Sequence, residues 1–199
     1  MLTIVQTARV LRGLGLLMRL NPRGFEVLGA TRGDAARSFW AAFVLLPLFV
    51  LYTGLEALER GPGLNLGLFG AVKIEHYVLG WVLYPVIMDF VSRLLDRRDA
   101  YYRWLTAYNW VQVPIMAAFL PLVLLAALGL APADALTLLN GIVFLAMSIV
   151  LGFVARHGLF LPLSSTIGVV VLDLVVGEAV HGILAPLIDA MPSAVPGGA

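Results

Sequence analysis

The sequence predicts an all-α fold: a polytopic transmembrane helix bundle of five spans, with a cytoplasmic N-terminus and a periplasmic C-terminus. Three observations predict it. The 199 residues are 61% hydrophobic and 13% charged, against about 45–50% apolar and about 25% charged in a soluble domain. The apolar residues gather into five stretches long enough to cross a bilayer core, which takes about 20 residues of helix. The basic residues are spread unevenly around those stretches. With so few charges a water-facing surface would be largely apolar, whereas hydrocarbon is the solvent such a surface prefers.

Residues 2–20, LTIVQTARVLRGLGLLMRL, read as an amphipathic helix. At about 100° per residue Arg9, Arg12 and Arg19 share an arc of about 80°, with Ile4, Leu11, Leu14 and Met18 roughly opposite. That pattern suits a helix lying in the headgroup layer with its arginines toward anionic lipid; the plainer alternative is a cytoplasmic helix packed on its own bundle. The apolar run Gly13–Met18 is cut by Arg19, too soon for a cleavable signal peptide. Asn21-Pro22-Arg23-Gly24 then ends the helix, and residues 21–37 read as a cytoplasmic turn and linker.

The first span is expected over 38–55, uncharged between Arg37 and Glu56 and kinked at Pro47. Residues 64–73, apolar but dotted with glycine, either lie at the interface or extend the next helix. The second span, 76–95, opens on Tyr77, Trp81 and Tyr84, rings that favour the headgroup level. The third comes from the uncharged stretch Trp104–Ala133, enough for one tilted span over 105–130 and too short for two. The fourth is 135–155, with Asp134 as the expected N-cap. The fifth, 161–187, is expected to start on capping serines Ser164 and Ser165 and to stop at Pro186. The stretch 189–199 reads as a disordered tail. No internal repeat is visible, so residues 38–188 form one membrane domain.

Orientation follows from the basic flanks. An inside N-terminus puts Arg9, Arg12, Arg19, Arg23, Arg32, Arg37, Arg93, Arg97, Arg98, Arg103 and Arg156 in the cytoplasm, and only Arg60 and Lys73 outside. The compartment expected is the bacterial inner membrane.

An ionisable group at bilayer depth costs about 2.5–3.5 kcal/mol on insertion scales, so each needs a reason. The fifth span carries the most suggestive set: Thr166, Asp173, Gly177 and His181 within an arc of about 80°, and Glu178 beside them. Read functionally, this polar stripe is a proton or cation path; read structurally, it hydrogen-bonds to neighbouring helices. Asp89 and Arg93, four residues apart, form an expected structural ion pair. Two polar layers follow from the topology: Asp89, Arg93, Asn109 and Gln112 near the inner side, and Glu75, His76, Asn140, Glu178 and His181 near the outer. The outer set has ligand chemistry but no metal-box spacing, so no metal is assigned. No cysteine is present, which excludes thiol catalysis and cysteine metal sites. GxSxG, Walker and GxGxxG motifs are missing as well. The reading is therefore a non-enzyme without cofactor, with the lipid bilayer and anionic headgroups as partners, together with a second copy or another membrane protein, and no nucleic acid.

Asn21-Pro22-Arg23-Gly24-Phe25, Phe39-Trp40, the stretch Tyr77–Met88 (YVLGWVLYPVIM) and Tyr108-Asn109-Trp110 before Pro114 carry a likeness. Over most of its length the chain resembles an uncharacterised family of proteobacterial inner-membrane proteins. The shared motifs are aromatic belts and turns, and the resemblance implies no functional residue. In topology and size the chain is also similar to Yip1-domain proteins, which implies a membrane organiser and partner of trafficking machinery, not an enzyme. The alternatives are a small proton- or cation-coupled transporter using Asp173 and His181, and an accessory subunit of a membrane complex.

Overall fold

The computed structural model describes residues 3–191, all of its regular structure helical. Eight α-helices are present among the described residues: α1 (Ile4–Leu17), α2 (Arg23–Leu28), α3 (Arg32–Ser38), α4 (Trp40–Arg60), α5 (Leu66–Leu94), α6 (Tyr101–Ala127), α7 (Ala133–Gly158) and α8 (Leu163–Asp189). A single 3₁₀ turn, Arg98–Ala100, leads into α6. Five helices are long and apolar enough to cross a membrane: α4, α5, α6, α7 and α8.

Four of the long helices outrun the uncharged stretches that announced them, whereas α6 starts earlier than the expected 105–130 and stops at Ala127. α5 begins at Leu66, so residues 66–73 extend the second span; the Asn65 side chain caps it by accepting from the Leu68 N–H at 3.1 Å. α8 passes through Pro186 and ends at Asp189, its C-terminal part packing on α5. The N-cap of α7 is Pro132, not Asp134, which lies inside the first turn; that of α8 is Pro162, not Ser164 or Ser165. Residues 192–199, most of the expected tail, lie outside the described residues.

Residues 21–37 are also more ordered than a linker. Thr31 and Asp34 make a capping box that starts α3: the Thr31 hydroxyl accepts from the Asp34 N–H, and the Asp34 carboxylate accepts from the Thr31 N–H, both at 3.1 Å. Such a box satisfies two N–H groups that a helix start would otherwise leave unpaired. α1 and α2 fold back on each other through glycines. A Cβ on Gly13 would lie 2.7 Å from Leu28, and one on Gly24 would lie 2.7 Å from Leu17 and 2.9 Å from the Gly13 carbonyl. Only glycine permits backbones this close.

This three-helix platform sits on one end of the bundle. Leu17, Phe25 and Leu28 are buried in the same core as Trp104, Leu105, Tyr108 and Val154. Phe25 meets Phe153 with ring centroids 6.1 Å apart. α6 and α7 approach closely there, since a Cβ on Gly158 would lie 3.1 Å from the Trp104 backbone. At the opposite end a second core, including Phe69, Val72, Val180, Leu184 and Ile188, joins α5 to α8. Much of the remaining surface of the long helices is apolar and exposed, including Phe43, Val50, Phe90, Leu145 and Ile183. Such a surface suits hydrocarbon better than water.

Candidate functional site

Four polar groupings and one cavity stand out. The first surrounds Asp173, near the middle of α8. Its carboxylate accepts from the Tyr108 hydroxyl at 2.9 Å, tying α8 to α6. Tyr108 in turn stacks on Trp104, centroids 4.9 Å apart, and lies 5.1 Å from Tyr84. The Tyr84 hydroxyl donates to the Val169 carbonyl at 2.9 Å, and the Tyr101 hydroxyl to the Pro85 carbonyl at 2.9 Å. Each hydroxyl thus finds an acceptor on another helix, as a polar group in a water-poor interior must.

The expected stripe on α8 divides. Thr166 is buried but donates to its own helix, to Pro162 O at 3.0 Å. Asp173 faces the bundle. Glu178 is exposed and turned from the core, and His181 is exposed with its ring centroid 6.2 Å from that of His76. The face of α8 that packs is carried by Thr166, Val169, Val180, Leu184 and Ile188, so Glu178 leaves the stripe.

The second grouping is the Asp89–Arg93 pair, which forms as expected and gains Arg98, 2.9 Å from the other carboxylate oxygen. The Arg98 guanidinium also lies over Tyr101 and Tyr102, at 5.0 and 5.3 Å. Asn109 does not join this layer. Its amide donates to the buried Ser38 hydroxyl at 2.9 Å, which donates to Ala35 O at 2.7 Å, fastening α3 to α6.

The third grouping is at the opposite end. Glu56 pairs with Lys73 at 2.5 Å and Arg60 at 3.5 Å, and Arg60 reaches Ile188 O at 3.2 Å and Asp189 at 3.3 Å. The expected convergence of Glu75, His76, Asn140, Glu178 and His181 reduces to the two histidines; Asn140 donates instead to Leu136 O, 2.9 Å away in its own helix. Among the described residues no three histidines or carboxylates gather as metal ligands.

The fourth is the platform. Arg9 donates to the Val27 carbonyl and helps close the α1–α2 hairpin. Arg12 and Arg19 are exposed and make no ion pair among the described residues. α1 packs inward through Val10, Leu14 and Leu17, while Ile4 and Leu11 stay 89% and 65% exposed. The helix therefore carries three faces: one on the bundle, one basic, one apolar and open. Nearby, the Arg103 guanidinium is held between Phe25 and Phe160, at 4.7 and 4.8 Å from the ring centroids, a cation–π arrangement of about 0.5–2 kcal/mol.

A cavity of about 570 Å³ lies between α4, α5 and α6. Phe49, Tyr77, Trp81, Met116 and Phe119 wall it, Tyr108 and Gln112 supply polar groups toward one end, and the His76 ring borders it. Tyr77 braces the wall by donating to the Ala42 carbonyl and packing on Phe49, centroids 4.4 Å apart. Tyr77 and Trp81, expected as headgroup anchors, wall this cavity, which periodicity alone does not announce. The available signal was Tyr108 and Gln112, four apart and so on one face of α6.

No protein-family model matches the chain, and neither the curated proteins nor the solved structures compared with it give a match.

Proposed function

We propose that this chain is a non-enzymatic, multi-pass protein of a bacterial inner membrane that organises the membrane or binds a partner there, as Yip1-like proteins do. The platform end is cytoplasmic. The observation that carries this reading is where polar groups are used up and where they are not. Inside the bundle Asp173, the Asn109 N–H, Tyr84 and Tyr101 are each engaged by a neighbouring helix or turn, and only Asn109 Oδ1 and Arg103 Nε are buried without a partner among the described residues. On the platform Arg12 and Arg19 stay exposed beside the open apolar face of Ile4 and Leu11. A basic face next to an apolar one favours anionic headgroups, at about 1 kcal/mol for each basic side chain near the surface. The same face suits a membrane-bound partner.

Affinity purification of the full chain in mild detergent tests the reading. A stoichiometric membrane partner, lost in the double variant Arg12→Ala, Arg19→Ala and kept in Asp173→Asn, is the expected result. A clean monomer in both would count against it. That outcome would also remove the related reading of an accessory subunit.

The Tyr108–Asp173 pair favours one second reading, a small proton- or cation-coupled transporter using Asp173 and His181. It calls for a flux into reconstituted vesicles that Asp173→Asn abolishes. Vesicles that stay silent across a broad panel of cations and solutes would set it aside.

A further inference from the structure

We infer that the cavity between α4, α5 and α6 is a binding site for a neutral, membrane-soluble molecule with a ring that carries a carbonyl or hydroxyl group. Its volume, about 570 Å³, is that of a site for a drug-sized ligand. From Tyr108 to Val123 it follows about 22 Å of the α6 axis at 1.5 Å per residue, so its long direction runs with the lipid chains.

Charge decides the first property of the ligand. No carboxylate, lysine or arginine lines the cavity among the described residues. The His76 imidazole on the lining carries no fixed charge, and the Asp173 carboxylate behind Tyr108 is already taken by that hydroxyl; a charged group brought there would be desolvated without a full counter-charge, so the ligand is neutral. The polar end decides the second. The Tyr108 hydroxyl spends its proton on Asp173 and presents only an acceptor. The Gln112 amide, one turn further along, already sets one N–H against the Tyr108 oxygen, which leaves its second N–H and its carbonyl for a ligand. A ligand carbonyl takes the remaining N–H of Gln112; a ligand hydroxyl takes that N–H and donates to the Gln112 carbonyl. A plain acyl chain uses neither group. The walls decide the third, because Phe49, Tyr77, Trp81 and Phe119 offer ring faces and edges to a planar ligand.

The test uses the full chain in phosphatidylcholine nanodiscs, titrated with a benzoquinone bearing a decyl tail and followed by quenching of tryptophan fluorescence. Decane is the ringless competitor. Saturable quenching that decane does not displace is expected. Gly80 lines the cavity with open space around its Cα, so Gly80→Leu fills it and should weaken binding at least tenfold. Gln112→Leu keeps the volume and removes the hydrogen bond, a loss of about three- to tenfold. It carries the test if Gly80→Leu does not fold, as judged by circular dichroism. Gly168→Leu, on the exposed side of α8, should bind as the parent does. Quenching that rises linearly and equally in all variants would reduce the effect to partitioning and overturn the proposal. Full displacement by decane would overturn it too, leaving a slot for ordinary lipid chains.

Discussion

At the scale of single residues, the bundle interior is organised by hydroxyls and amides that bridge helices. Tyr108→Phe deletes one such bond and leaves the Asp173 carboxylate without its donor. The expected cost is about 1–2 kcal/mol, seen as a lower thermal midpoint in detergent. Asp173→Asn keeps an acceptor for Tyr108 and should cost less than Tyr108→Phe does. The reverse order would mean that the carboxylate has a role its geometry does not reveal. Two glycines on the platform make a sharper pair. Gly24→Val would push a side chain into Leu17 and the Gly13 carbonyl, and overpacking of this kind costs about 1–3 kcal/mol. Gly15→Ala, in open space on the same hairpin, should instead stabilise α1 by about 0.5–1 kcal/mol, since glycine is a poor residue in a helix interior. Thermal unfolding of both variants reads the two signs.

At the scale of elements, the five long helices were legible because hydrocarbon forces about 20 apolar residues into each. Their ends were not, because at headgroup level a helix can continue through glycine, lysine or proline without exposing backbone to lipid. That is how α5 came to begin at Leu66 and α8 to pass Pro186. α3 was missed because Arg32, Asp34 and Arg37 look like linker charges; the Thr31-x-x-Asp34 box was the signal present. Side-chain facing was the hardest to read. α7 and α8 are apolar on nearly every side, so periodicity cannot say which face meets protein and which meets lipid. Thus Asp173 faces the bundle and meets Tyr108, while Glu178, expected beside it, is exposed. Asn109 was assigned to the Asp89 layer because depth along a helix is readable while its azimuth is not. α1 is a different case: its basic arc was legible, but packing splits its apolar side into a buried strip and an open one. Removing residues 1–20 should therefore leave the five spans inserted while stripping anionic lipid and partner from the purified protein. Loss of membrane insertion on that truncation would show that the platform serves the fold instead.

At the scale of the molecule, charge is polarised along the bundle. Eleven of the thirteen basic residues lie at the platform end, and the two at the other end, Arg60 and Lys73, are both paired with Glu56. On the proposed reading, five crossings with that polarity put the two termini on opposite sides of the membrane. Reporters fused after Ala199 measure this most directly: one that fluoresces only in the cytoplasm and one whose enzyme is active only outside it. The expected result is a dark fluorescent fusion and an active external enzyme. A bright cytoplasmic fusion with an inactive enzyme would contradict the odd number of crossings and the placement of every element that depends on it.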